Sequence, residues 1–299
     1  MTRTRPDARL LLVGSTGRAG RLISKAWTRY PPGARTVIQV RDCAEANTPG
    51  QLRWAPLEST EPLRDWVSHY GSIDAMIVMA GVIPASGGNL EDNGTIAEAC
   101  VAGALDANIR RVLIASSSSV YGSWKSTPYS EEDETRPVNP YGKAKVDMER
   151  AALSLSADKV EVTNLRIGNI AGADALLLKL ANAGSGRPLI IHRFADDRGP
   201  FRSYIGPVSL AASLVRLALH KGPLPPILNV AAQSAVHMED LAEAGSIPWR
   251  FVPAPLHAHQ NIVLNTAKLA RIAPMPHGAW NPKAIIGEWA GLGMTDVPS

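Results

Sequence analysis

Tyr141 and Lys145 stand four residues apart in the run Tyr141-Gly142-Lys143-Ala144-Lys145, a spacing that puts both side chains on one face of a helix. A tyrosine hydroxyl ionises near ~10 and is a poor base at neutral pH. An ammonium beside it favours the phenolate and lowers that value. The pair is therefore a candidate general acid/base for a hydroxyl or carbonyl group. Upstream, the apolar run Val112 to Ala115 leads into Ser116-Ser117-Ser118-Ser119-Val120-Tyr121-Gly122. A serine at the C-terminal end of a parallel strand points into the ligand crevice, where its hydroxyl can polarise a substrate oxygen. A Tyr/Lys pair on a helix surface, or a polar serine loop, is ordinary when taken alone. Their joint occurrence, in this order, is not.

Near the N-terminus, Gly14-Ser15-Thr16-Gly17-Arg18-Ala19-Gly20 follows one apolar run and opens a helical stretch. Gly14 permits a tight turn, Gly17 leaves room for a pyrophosphate, and Gly20 lets the helix pack against a sheet. The helix N-terminus offers free N–H groups and a positive dipole end to phosphates. The spacing G-x-x-G-x-x-G differs from the usual G-x-G-x-x-G. About 20 residues on, the second strand ends in Gln39-Val40-Arg41-Asp42. Arg41 at the strand tip, with Arg18 in the loop, favours the 2′-phosphate of NADP(H); NAD(H) is the alternative.

The elements that must position these groups alternate. Strands are expected at Arg9–Val13, Thr36–Val40, Leu52–Ala55, Ala75–Met79, Val112–Ala115 and Val160–Arg166. Helices are expected to about Tyr30, over Glu61–His69, over Gly94–Ala107, and from Pro140, which suits a first turn, to about Ser156. Apolar runs without alternation, separated by helical crossovers, predict an α/β fold: a doubly wound, Rossmann-like parallel sheet with a smaller, irregular α/β substrate-binding region. Past Gly168 prolines and loops increase, with helices expected at Val208–His220 and Met238–Ala244 and a strand at Ile227–Val230. The expected division is residues 1–168 plus about 206–232 for the dinucleotide, and 169–205 with 233–299 for the substrate.

The chain resembles the extended short-chain dehydrogenases/reductases, the NAD-dependent epimerase/dehydratase family, from about Leu10 to at least Leu241. The carrying residues are the glycine loop, Ala-Gly-Val-Ile-Pro at Ala80–Pro84, the Ser-Ser-Ser-Ser-Val-Tyr-Gly run, Tyr-Gly-Lys-Ala-Lys, Leu165–Asn169 and Arg202–Gly206. The resemblance implies Ser117 as the active hydroxyl, Tyr141 as base and Lys145 as its support and a grip on the nicotinamide ribose. It implies cofactor contacts from Gly14, Thr16, Gly17, Arg18, Ala19, Gly20 and Arg41. Leu57 and Glu58 would lie at the adenine, and Ala80 and Gly81 at the phosphate and ribose. On the substrate side it implies Val82, Ser118, Asn169 and Arg202. Departures matter too. The Asp-Glu pair of the 4,6-dehydratases is Ser118-Ser119 here, which argues against that chemistry. The segment from Arg202 has lost the family's acids, and the asparagine three before Gly94-Thr95 is Glu91. Both set the chain apart from standard nucleotide-sugar members.

The expected activity is hydride movement between a nicotinamide cofactor and the hydroxyl or carbonyl carbon of a small, sugar-like or nucleotide-sugar substrate, by an oxidoreductase or epimerase. The alternative is a dinucleotide-binding sensor or scaffold without turnover. The charge of +4 is scattered, and Arg18, Arg21, Lys25 and Arg29 on one helix suit a solvated face better than a nucleic-acid site. No apolar run reaches the ~20 residues of a membrane helix, so the expected location is the cytoplasm. Cys43 and Cys100 fit reduced thiols. His257 and His259 lack an evident third metal ligand, and no metal is expected. The small, apolar helix Gly94–Ala107 suits a homodimer contact.

Overall fold

The computed structural model describes residues 6–41, 47–156, 159–174, 176–177, 188–256 and 258–293. Asp42, Cys43 and His257 lie outside them. The first half alternates as β1 (Arg9–Val13), α1 (Arg18–Arg29), β2 (Arg35–Val40), β3 (Gln51–Arg53), α2 (Glu61–Tyr70), β4 (Ala75–Val78), α3 (Asp92–Asp106), β5 (Arg111–Ser117), α4 (Pro140–Ser154) and β6 (Glu161–Ile167). The second half continues with β7 (Asn169–Ile170), β8 (Leu189–Arg193), β9 (Phe201–Arg202), β10 (Tyr204–Ile205), α5 (Pro207–Ala218), β11 (Ile227–Val230), β12 (Val236–His237) and α6 (Met238–Ala244). It ends with β13 (Trp249–Pro253), β14 (Asn261–Ile262), α7 (Ala267–Ile272) and α8 (Pro282–Ala290).

Seven strands form one parallel sheet in the order β11-β6-β5-β4-β1-β2-β3. The order reverses between β1 and β4, so the loops leaving these two strands diverge and open a crevice at their C-terminal ends. Alternate residues of β1 divide between two layers. Leu10 and Leu12 pack with Leu22, Ile23 and Trp27 of α1 and with Leu210, Leu214 and Leu217 of α5. Leu11 and Val13 pack with Leu63 and Trp66 of α2, Cys100 and Val101 of α3, and Met148 of α4. Each such side chain, once buried, contributes roughly 1.5–3 kcal/mol. On α1 the apolar stripe faces the sheet, and Arg18, Arg21, Lys25 and Arg29 are exposed, a solvated basic face.

Small sheets build the remainder: β7 beside β10, β8 beside β13, and β9 between β12 and β14. No helix among the described residues is long and apolar enough to cross a membrane.

Candidate active site

The helix α4 starts where its sequence says it should. The Asn139 side chain accepts a hydrogen bond from the Gly142 N–H at 2.8 Å, a cap worth about 1 kcal/mol. Pro140 fills the first turn, where no N–H is needed. This fixes Tyr141, Lys145 and Glu149 on one stripe of the helix, facing the end of β5.

Tyr141 lines one cavity with Ser117, and burial raises its phenol's pKa above the ordinary value, with Ser117 acting to lower it. Ser117 Oγ also accepts from the Ser119 N–H at 3.2 Å. Lys145 is 4% exposed. Its ammonium donates to the Ala115 carbonyl at 2.9 Å and lies 5.9 Å from the centre of the Tyr141 ring. Burial lowers its pKa to about 8, against the opposing pull of the Glu149 carboxylate.

Behind Lys145 lies a buried polar chain. Glu149 takes a 2.7 Å ion pair from Arg166 of β6 and a 2.5 Å hydrogen bond from the Ser116 hydroxyl. The Arg166 guanidinium sits 4.8 Å from the Tyr121 ring centre, and Tyr121 donates to Asn229 of β11 at 2.7 Å. Glu149 and Arg166 are 4% and 5% exposed, so each charge is compensated inside the protein rather than by water.

The glycine loop is built around close approaches. Gly14 has φ +86°, and a Cβ there would lie 2.3 Å from Ala80 N. A Cβ on Gly20 would lie 2.1 Å from Gly14 O. A Cβ on Gly17 would meet only Gly14 O, at 3.4 Å, so the space over Gly17 is open. The loop is held from β2: Gly14 N–H donates to Gln39 Oε1 at 3.1 Å, and Ser15 Oγ donates to Gln39 O at 2.9 Å. Across the crevice, Asn93 is buried and clamps the loop after β4, accepting from Val82 N–H and donating to the Val82 and Leu90 carbonyls.

One cavity of about 550 Å³ is lined by Thr16–Ala19 and Arg21 of the loop and α1, and by Gly81, Ser117, Tyr141 and Lys145. Ile83, Ser86, and Gly168–Ile170 with Gly172–Asp174 line it too. A glycine cradle with open space over Gly17, an exposed helix N-terminus and an acid/base pair in one cavity fit an elongated dinucleotide.

Among the residues expected at the site, the structure brings Thr16, Gly17, Arg18, Ala19, Gly81, Ser117, Tyr141, Lys145 and Asn169 to this cavity. Gly14, Gly20 and Ala80 lie beneath it, as the loop contacts. Arg41 is exposed just past β2, and Leu57 and Glu58 are exposed after β3; these three are outside the lining. Val82 and Ser118 are half-buried and are also outside the lining. Arg202 points elsewhere: its guanidinium donates to the carbonyls of Phe201, His259 and Gln260, and burial lowers its pKa to about 10.

Glu149, Asn93, Gln39 and Asp174 were not singled out from the sequence. Glu149 carried a signal, the four-residue stride from Tyr141 through Lys145. Asn93 is two residues past Glu91, where an asparagine was sought. Gln39 and Asp174 carried none, because Gly14 and Tyr204, which they respectively bond, are remote in sequence.

The sequence model of the NAD dependent epimerase/dehydratase family matches residues 10–203. The chain belongs to the NAD-dependent epimerase/dehydratase family. A UDP-glucose 4-epimerase from Azospirillum brasilense is 30% identical over 204 residues, 63% of this chain and 56% of that protein. A UDP-glucose 4-epimerase from Lactobacillus helveticus is 39% identical over 71 residues, 23% of this chain and 22% of that protein. These alignments thus span about half of one curated relative and about a fifth of the other. A solved UDP-glucose 4-epimerase from Stenotrophomonas maltophila, with bound NAD and formylated UDP-arabinopyranose, superposes with a TM-score of 0.77 at 18% identity. It covers 96% of this chain and 98% of its own. The Rossmann-like architecture expected of the chain is the one it shares with this neighbour.

Proposed function

We propose that this family member is an NAD-dependent epimerase acting on the sugar ring of a nucleoside-diphosphate sugar, with Ser117, Tyr141 and Lys145 as its catalytic residues. The observation that carries the reading is the placement of Ser117, Tyr141 and Lys145 in one cavity with the glycine loop. The two curated relatives are both UDP-glucose 4-epimerases, which supplies the substrate class.

The glycine loop and the α1 N-terminus would hold the cofactor's pyrophosphate, and Lys145 its nicotinamide ribose. When bound, the dinucleotide supplies a hydride acceptor and, for the return step, a hydride donor. Ser117 holds the substrate oxygen. Tyr141 takes the proton from that hydroxyl as the carbon is oxidised and returns it when the carbonyl is reduced on its other face. Lys145 keeps a positive charge beside Tyr141 and so favours the phenolate. With Ser118 and Ser119 in place of the acidic pair of the 4,6-dehydratases, the reading sets that chemistry aside.

The proposed cofactor is NAD. The two arginines that favour NADP(H) divide, since Arg18 lines the cavity and Arg41 does not, and the family is NAD-dependent. Residues 169–205 and 233–293 would form the substrate side. A homodimer through α3 and α4, in the cytoplasm, completes the proposal. The alternative of a non-catalytic sensor has no support in a site that keeps tyrosine, lysine and serine together.

Identification of the nucleotide released on denaturation, with titration by NADH and NADPH, tests the cofactor. Retained NAD and tighter NADH binding are expected. Tighter NADPH binding would reinstate the arginine argument.

A further inference from the structure

We infer that Asp174 is a substrate-side acceptor that binds a hydroxyl or ammonium group of the sugar ring and turns away rings that carry a carboxylate. The inference deepens the proposed function and rests on it for the nucleotide portion of the ligand.

Asp174 follows β7 in the segment that leaves the C-terminal end of β6, the edge at which an α/β sheet binds ligands. It is half-buried and lines the same cavity as Ser117 and Tyr141. Among the described lining residues it is the only acid, and the cations there, Arg18, Arg21 and Lys145, belong to α1 and α4. The carboxylate is held in place from three directions. The Tyr204 hydroxyl donates to Oδ2 at 2.7 Å, and the Leu176 and Leu177 N–H groups donate at 3.3 and 3.4 Å. Asn169 lines the same cavity. Two carboxylate oxygens offer about four acceptor sites, so three donors leave room for one more, from the cavity.

Among the described residues no cation is paired with Asp174, and burial raises its pKa to about 6. At pH 8 it is a charged group with incomplete solvation, so a hydroxyl or ammonium donor arriving from the cavity stabilises it. A substrate carboxylate placed there meets like charge with neither partner solvated. Capping the turn at residues 176–177 explains the two N–H contacts alone. It requires neither the Tyr204 contact nor a place in the cavity lining.

The test uses the NAD-loaded protein at pH 8 and calorimetric titration with UDP, UDP-glucose and UDP-glucuronate, for wild type and Asp174→Asn. Asparagine keeps the cap and removes the charge. Wild type is expected to bind UDP-glucose at least ~10-fold more tightly than UDP-glucuronate, equivalent to about 1.4 kcal/mol. In the variant that ratio should fall below about 3-fold, with UDP and NAD affinities unchanged. A ratio that is already flat in wild type, or unchanged in the variant, overturns the inference. If neither UDP nor either UDP-sugar binds, the nucleotide-sugar reading fails instead. Methyl glucoside, glucosamine and glucuronate then test Asp174 without a nucleotide. Preference for the first two over the third, lost in Asp174→Asn, sustains the inference, and a flat response to all three overturns it.

Discussion

The acid/base chemistry proposed for Tyr141 depends on a charge that its neighbour holds with difficulty. Burial brings Lys145 to a pKa of about 8, so its ammonium is mostly present below that pH and is lost above it. Turnover that relies on this charge should therefore decline as pH rises through about 8. A rate profile still rising past pH 9 would sever Lys145 from the chemistry. Lys145→Met should lower kcat by roughly 10²–10⁴ across the whole range, and Ser117→Ala should do so by a smaller factor, since Tyr141 keeps its place on α4. Tyr141, Lys145 and Ser117 were legible because each lies in a short motif. Glu149, Asn93 and Asp174 were not, because their meaning depends on Arg166, Val82 and Tyr204, and no local pattern announces a contact across the fold.

At the scale of elements, two glycines of one loop predict opposite outcomes. Gly14 combines φ +86° with a backbone atom 2.3 Å from any added Cβ. Gly14→Ala should cost about 1–3 kcal/mol of stability or more, visible as a lowered denaturation midpoint. Gly17 has φ −69° and open space above it, so Gly17→Ala should fold normally and weaken NAD binding only. Equal thermal stability of the two variants would contradict the account of the loop. A second device ties α4 to β5 and β6. Removing one partner of the buried Glu149–Arg166 pair leaves an uncompensated charge, and Arg166→Met should cost roughly 3–5 kcal/mol in denaturant unfolding. The strands and helices of the first half were legible to within a few residues, since each is a local apolar run or an amphipathic stretch. The β8–β13 pair was not. Leu189–Arg193 and Trp249–Pro253 are far apart in sequence, short and proline-flanked, and only their mutual pairing makes them strands.

At the scale of the molecule, the sheet order sets the loops after β1 and β4 apart, and α4 brings Tyr141 to the edge of that crevice. The proposed cofactor binding and proton transfer would thus draw on elements more than a hundred residues apart. The site depends on the whole sheet folding, and NAD should raise the melting temperature of the entire chain in one transition. The central claim is that Tyr141 performs acid/base chemistry on a sugar hydroxyl with NAD in place. Conversion of UDP-glucose to UDP-galactose, followed together with bound NAD in wild type and Tyr141→Phe, tests it most directly. The account predicts that both proteins hold NAD and only wild type turns over. Wild-type protein that binds no NAD, or Tyr141→Phe converting the sugar at the wild-type rate, would contradict it.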